Sequence, residues 1–242
     1  LLANIFANCL SFMVNDIEDA DDDARDPPRA ARNVVSNGQL DRHTAWWASL
    51  GVGLASLGGY ALAARSGPEV LACGVVILAL SILYSWRGVR LKARPVVDVL
   101  SHALMLGGLL VLAGHLAVAP AGEAWWLPAT TAFLVSAYGQ FHNQLRDFDT
   151  DRAAGLSNSA IILGTSATAI LARACAAVGF ACVVLMLVLD SIPRWSFGAG
   201  AIAGLLSWRL RTGTATDMRG TEASDAASQA QRPMLDALNG LA

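Results

Sequence analysis

The 242-residue sequence predicts an all-α fold, a polytopic transmembrane helical bundle, on three observations. Hydrophobic residues are 55% of it and charged ones 15%, against about 25% charged in an ordinary soluble domain, and its mean hydropathy is +0.47. Uncharged stretches run over 1–15, 44–64, 70–86, 99–122, 124–145, 153–172, 174–189 and 195–208. Several reach the roughly 17–25 residues with which a helix crosses a bilayer. The loops also alternate in charge. Those at 16–42, 87–94, 143–159 and 209–219 hold thirteen basic residues, and the loops between them hold only Arg65 and Arg194. That alternation puts the basic loops on the cytoplasmic side and supports the helix count, because one missed span would scramble it.

Taken in order, the spans are 1–15, 43–64, 69–86, 96–118, 124–142, 165–189 and 193–210, about seven in all. The first opens without Met and without a charged leader, so it reads as starting partway through a helix, with no cleavable signal. Breakers separate the others: Pro27-Pro28, Gly67-Pro68, Pro95, Pro120 and Pro193. The stretch 212–231 is polar and reads as a loop, and "MLDALNGLA" at the end reads as the start of another apolar helix. Residues 1–242 form one transmembrane domain on this reading. Cys9, Cys73, Cys175 and Cys182 lie inside apolar runs without a CxxC pair, which fits packing better than a metal site or disulfide. A net charge of −2 gives no basic surface for nucleic acid.

Directly behind the first uncharged run stands "VNDIEDADDDARD", residues 14–26, with seven acids in thirteen positions. A second acid-rich stretch, "HNQLRDFDTDRAAG", follows the fifth span on the same side. Both share the spacing N-x-x-x-D-x-x-x-D, as Asn15/Asp19/Asp23 and as Asn143/Asp147/Asp151, with Asp16 beside the first. In a helix such positions form one stripe of oxygen ligands. Like charges one turn apart repel, so a cation is expected between the two rows. Hard oxygen ligands suit Mg2+, which binds one or two carboxylates together with substrate phosphates. Two Mg2+ ions bridging a diphosphate account for both rows, and Arg25, Arg32, Lys92 and Arg146 complete the charge balance.

At these residues the chain resembles the UbiA superfamily of intramembrane prenyltransferases. "NDIEDADDD" resembles its first motif and "RDFDTDRAAG" its second; "RNVVSNG" (32–38), "YSWRGVRLKARP" (84–95) and "LG" (163–164) are similar to further family segments. The resemblance implies about nine helices around a central cavity, the first and last of them absent here. It implies Mg2+-dependent transfer of a polyprenyl group from a prenyl diphosphate to a hydrophobic acceptor inside the lipid bilayer. Carried over, Asn15, Asp19 and Asp23 serve one metal, and Asp147 and Asp151 the other. Arg32 contacts diphosphate; Arg25, Tyr84, Lys92, Asn143 and Arg146 join it in substrate binding. The chain departs from the family where "LSNS" (156–159) replaces a basic-Thr pair and where Tyr84 and Lys92 stand eight apart rather than four.

The acceptor stays open between an aromatic or quinone precursor, a related lipid and a carotenoid to be extended. Tyr84, Tyr138, Phe141 and Phe148 are candidates to stabilise an allylic cation, and His142 to touch the acceptor. Two soluble or membrane alternatives fit less well. Asp22-Asp23-x-x-Asp26 matches the DDxxD of soluble isoprenyl diphosphate synthases, but the hydropathy opposes that class, and the D-G-x-x-A-R opening of CDP-alcohol phosphotransferases is missing. A cation transporter would place its acids near the midplane rather than at one cytoplasmic end beside basic residues.

Overall fold

The computed structural model describes residues 1–118, 126–153, 155–196 and 198–202. Its first helix, α1 (Leu2–Asp23), buries Ala3, Ala7, Leu10, Val14, Ile17 and Ala20, the three- and four-residue spacing of a single helix face. The helix therefore outruns the apolar span and carries the acids within it. Pro27 opens a short α2 (Pro27–Arg32), where a ring lacking an N–H costs nothing. Asp41 caps α3 (Arg42–Ala63) by accepting from the Thr44 amide at 2.9 Å. α4 (Pro68–Ser85) again starts on proline.

The span 97–118 is three pieces: α5 (Val97–Ala103), a π-turn (Leu104–Gly108) and α6 (Leu109–Val118). Then come α7 (Trp126–Arg146), α8 (Phe148–Ala153) and α9 (Ser159–Val188). α9 begins six residues before the span at 165, and it does so across a kink. Gly164, at φ 78° and ψ 163°, breaks the helical backbone that the Asn158 cap has started. Of the predicted span 193–210 only 193–196 and 198–202 lie within the described residues, and the tail after it lies outside them.

Four described helices are long and apolar enough to cross a membrane: Arg42–Ser66, Pro68–Ser85, Val97–Val118 and Ser159–Val188. α1 misses that standard because of its acids, and α7 because Gln140, His142, Asn143 and Gln144 crowd its last turns. Large apolar side chains such as Leu54, Leu62, Ile162, Ile170 and Phe180 face outward, as a lipid-facing surface requires. The protein is an integral membrane protein with an all-helical fold.

Small residues let the helices close. A Cβ on Gly59 would come 3.0 Å from that of Ala3, so α1 and α3 meet almost backbone to backbone, and one on Gly74 would lie 2.3 Å from the Tyr60 ring, which packs directly on the α4 backbone. One apolar cluster joins α1, α3, α4 and α6 through Ala7, Leu10, Val14, Tyr60, Ile77 and Ala113. A second joins α5, α7 and α9 through Val99, Ala103, Ala137, Phe141 and Ala172. The helices alternate in direction. At one end Ser66 Oγ donates to the Ala117 carbonyl at 3.0 Å. At the other, Ser85 reaches Asn15 and Gln144 reaches Asp98, so both acidic stretches lie at that same end of the bundle.

Candidate active site

At about 100° per residue, Asn15, Asp16, Asp19 and Asp23 fall within a 100° arc of α1, with Asp22 just outside its Asn15 edge and Glu18 and Asp21 turned further away. The loop after α4 serves both faces. Arg87 reaches Asp21 at 3.6 Å and Asp22 at 3.5 Å, and its backbone N–H donates to Glu18 at 3.0 Å. Arg42 pairs with Asp21 at 2.9 Å. Asp21 and Asp22 are thus paired with arginines, and Glu18 accepts a backbone N–H.

On the row itself Lys92 is the organising cation. Its ammonium donates to Asn15 Oδ1 at 2.9 Å and, in a closer contact, to Asp19. Ser85 donates to the same Asn15 oxygen at 2.9 Å, and Arg90 lies 3.6 Å from Asp19. Arg90 stands at φ 48°, the left-handed region, which turns the chain so that Lys92 points back at α1. Buried Asn33 donates from one amide to the Asp16 carbonyl at 2.8 Å and to Asp23 Oδ2 at 2.9 Å, fixing the far end of the row. Burial pushes the Asp16 carboxyl above its usual range, with Asp23 and Asp19 adding repulsion that Lys92 only partly offsets. Burial also lowers the Lys92 ammonium, against the pull of Asp19.

The second row is a bent stripe. α7 ends at Arg146 and α8 starts at Phe148, with Asp147 in a turn between them. The helical hydrogen bonds still run through, from Asp147 N to Asn143 O at 3.0 Å and from Asp151 N to Asp147 O at 2.8 Å. Arg146 lies 3.3 Å from its neighbour Asp147. Asn158 donates to Asp151 at 2.8 Å and caps α9 with its other end. Asp151 is pushed up by burial and then by Asp147, with Arg29, Asn158 and Lys92 pulling the other way.

A fully buried carboxylate, Asp98, anchors this region. It accepts from Gln144 Nε2 and the Ser159 amide, each at 2.7 Å, and from the Ser159 hydroxyl, tying α5 to α7 and α9. Tyr84, near the end of α4, joins it to α7: its hydroxyl accepts from Gln140 at 2.9 Å.

Lys92 thus meets Asn15 and Asp19, and Tyr84 lies on the neighbouring α4 with its hydroxyl on Gln140. Among the other expected residues, Arg25, Arg32 and Asn143 are exposed at this end, and among the described residues no side-chain hydrogen bond or ion pair involves Arg25. Phe141 packs in the core, and Tyr138 lies against His142, their rings 6.2 Å apart. Arg173 is exposed on α9. Among the described residues no three acidic, His or Cys side chains converge on one metal position. The donors present are nevertheless carboxylate and amide oxygens, a set that fits a hard divalent cation.

Asp98, Asn33, Gln144 and Asn158 are supports the sequence reading passed over. Asn158 had a signal, a polar residue just ahead of an apolar run. So did Asp98, a lone acid at the edge of a span. The "LSNS" departure is the support itself, Asn158 holding Asp151 and Ser159 holding Asp98.

The UbiA prenyltransferase family model matches residues 1–225. Three structures of a UbiA homolog from Archaeoglobus fulgidus share the fold. The one bound to GPP and Mg2+ has a TM-score of 0.65 at 21% identity, over 90% of this chain and 76% of that one. The one bound to DMAPP and Mg2+ gives 0.65 at 20%, with the same 90% and 76%. The one bound to Cd2+ gives 0.61 at 18%, over 95% and 84%. Comparison with curated proteins finds no match. The matched family model spans both acidic rows and the loop between them, and the chain belongs to the UbiA prenyltransferase family.

Proposed function

We propose that the protein transfers a polyprenyl group from a prenyl diphosphate to a hydrophobic acceptor inside the membrane, with Mg2+ held by its two acidic rows on the cytoplasmic side. The observation that carries this is two oxygen-rich rows at one end of an apolar bundle, the first of them meeting the ammonium of Lys92. The UbiA homologs solved with GPP or DMAPP and Mg2+ support the same donor class. The basic residues at this end, against Arg65 and Arg194 at the other, support the cytoplasmic side.

Asn15, Asp16, Asp19 and Asp23 hold metal on one side of the diphosphate and Asp147 and Asp151 on the other. Mg2+ supplies charge stabilisation to the departing diphosphate. Lys92, Arg25, Arg32, Asn143 and Arg146 bind the remaining phosphate oxygens. Tyr84 covers the allylic carbon and keeps water from it. The bundle admits the isoprenoid tail from lipid and excludes the water that would quench an allylic cation. The acceptor is an aromatic or quinone precursor or a related lipid, including a carotenoid end.

Isothermal titration of the detergent-solubilised protein with geranyl S-thiolodiphosphate tests the reading. Binding in Mg2+ that is lost in EDTA is expected. Binding indifferent to Mg2+ contradicts the paired metal rows, and Mg2+ binding without any affinity for the analogue points to an ion site instead.

A further inference from the structure

The segment that carries Asn158 has little backbone support of its own. Residues 156–163 lie between Gly155 at φ 69° and Gly164 at φ 78°, and a Cβ on either glycine would meet nothing within 4 Å. Left-handed glycines in open space let a chain pivot. The break at Gly164 also detaches the turn 159–163 from the body of α9. The position of this segment is therefore set by side chains that reach it from other helices.

Asp98 is the centre of that support. Its Oδ2 accepts from the Ser159 amide and from Gln144 Nε2, both at 2.7 Å, and its Oδ1 from the Ser159 hydroxyl and the Val99 amide. Gln144 closes a ring, its Oε1 accepting from the Ala160 amide at 3.1 Å. Ser159 Oγ in turn accepts from the Val96 amide at 2.7 Å. Asp98, Gln144, Asn158 and Ser159 are all buried. The four donors on the carboxylate are neutral, and burying such a group is costly unless its hydrogen bonds are complete. Capping α9 does not require it, because Asn158 already accepts from the Ile161 amide at 3.0 Å. The ring leads instead to the second row. Asn158, next to Ser159, donates to Asp151 Oδ2 at 2.8 Å, and among the described residues that is the one side-chain hydrogen bond on the Asp151 carboxylate.

Resting on the metal and diphosphate reading, we propose that Asp98 is the positioning residue of the second row. It holds residues 156–163 so that Asn158 aims Asp151 at the ion, and it thereby sets the Mg2+ affinity of that row without touching metal or substrate. Partners standing behind metal ligands orient them in this way. The order of contact is Asp98, Ser159, Asn158, Asp151, with Gln144 bracing the first link from α7.

The test uses the full detergent-solubilised chain and two readouts, Mg2+-dependent binding of geranyl S-thiolodiphosphate and hydrogen exchange in EDTA. Asp98→Ala should raise the Mg2+ concentration for half-maximal binding about five- to tenfold and leave analogue affinity at saturating Mg2+ within about twofold, the pattern of a lost partner behind a metal ligand. In EDTA its Ser159 and Ala160 amides should exchange faster by about tenfold or more, with α3 and α4 unchanged. Asp98→Asn keeps an amide oxygen for Ser159 and Gln144 but no charge, so its Mg2+ shift should be smaller, about two- to threefold. In an Asn158→Ala background Asp98→Ala should add less than about twofold, because the path to Asp151 is already cut. An unshifted Mg2+ requirement in Asp98→Ala makes the residue a structural cap and overturns the proposal, and so do unchanged exchange rates. Equal shifts in the Asn and Ala variants would assign the effect to charge, and multiplying shifts in the double variant to another route; either overturns it. Should Asp98→Ala fail to insert, Asp98→Asn takes its place in the same cycle, and no shift, or one that persists in Asn158→Ala, overturns the proposal. A wild-type chain that binds the analogue equally in EDTA, or not at all, overturns the metal and diphosphate reading itself, a failure visible before any variant is made.

Discussion

Asp19 meets the Lys92 ammonium and, 3.6 Å away, the Arg90 guanidinium, whereas Asp151 is held by the neutral amide of Asn158 at 2.8 Å. The contrast runs through both rows. The first is charge-compensated from one loop, residues 87–92, and locked at its end by Asn33. The second has Arg146 against its own neighbour Asp147, and otherwise leans on Asp98, Gln144 and Ser159. One row is built by cations and the other by a hydrogen-bonded scaffold. In both rows burial and then neighbouring carboxylates raise one acid, Asp16 in the first and Asp151 in the second, and a divalent ion would relieve the repulsion.

The harshest way to break the comparison is to remove a carboxylate from either row. Asp19→Ala, Asp23→Ala, Asp147→Ala and Asp151→Ala should each cut prenyl transfer by about a hundred- to a thousandfold, as loss of one preorganised electrostatic group does, while the protein still inserts. Asp21→Ala, whose exposed carboxylate pairs with Arg42 and Arg87 away from the row, should stay within about twofold, since exposed ion pairs are weak. Wild-type turnover in any two of the first four would dissolve the paired-row assignment.

Next in size are the supports. Lys92→Met removes a charged hydrogen bond worth about 1.5–3 kcal/mol, so the donor KM should rise about 10- to 100-fold. Asn158→Ala loses a helix cap and a partner of Asp151, about 1 kcal/mol. It should raise the Mg2+ concentration for half-maximal rate several-fold and leave the donor KM nearly unchanged. The opposite split, with Lys92 governing Mg2+ and Asn158 governing the donor, would reverse the contrast between the rows.

The rows themselves were legible because their spacing is local: four residues is one helical turn, and both stretches follow apolar runs. Lys92 was legible as nearby charge. Asp98 and Asn33 were not, because their partners lie far along the chain and only tertiary packing brings them together; Asp98 meets Ser159, sixty-one residues away. The break at Asp147 also escaped, since the hydrogen-bond pattern on either side stays helical. The extension of α1 to Asp23 ran against simple hydropathy: acids that look like a loop are kept helical by Ile17 and Ala20, buried on the opposite face.

Acidity offers a subtler test. Asp16 and Asp151 titrate above the ordinary 3.8 in the folded protein. A raised carboxyl favours folding while protonated and gives that up as pH climbs from 3.8 through its folded value. The metal-free protein should therefore lose stability across that window, and Mg2+ should restore it above the window only. Thermal unfolding at pH 4 and pH 7, with EDTA or Mg2+, should show the Mg2+ increment at pH 7 and almost none at pH 4. An equal increment at both would mean the ion does not depend on these carboxylates.

The smallest expected effect probes the scaffold under the second row. Val96, exposed and β-branched, sits at φ 70° and ψ −50°, a strained conformation for such a residue. Its N–H donates to Ser159 Oγ at 2.7 Å, so the scaffold around Asp98 holds the strain in place. Glycine adopts that backbone freely and keeps the N–H, relieving about 1–3 kcal/mol of strain against about 0.5–1 kcal/mol of added chain entropy. Val96→Gly should raise the melting temperature by about 2–4 °C without changing kcat. Ser159→Ala in the same background should take back more than that gain, because it also strips a donor from Asp98. A melting temperature that falls in Val96→Gly would show that the valine side chain, and not the Asp98 scaffold, fixes the start of α5.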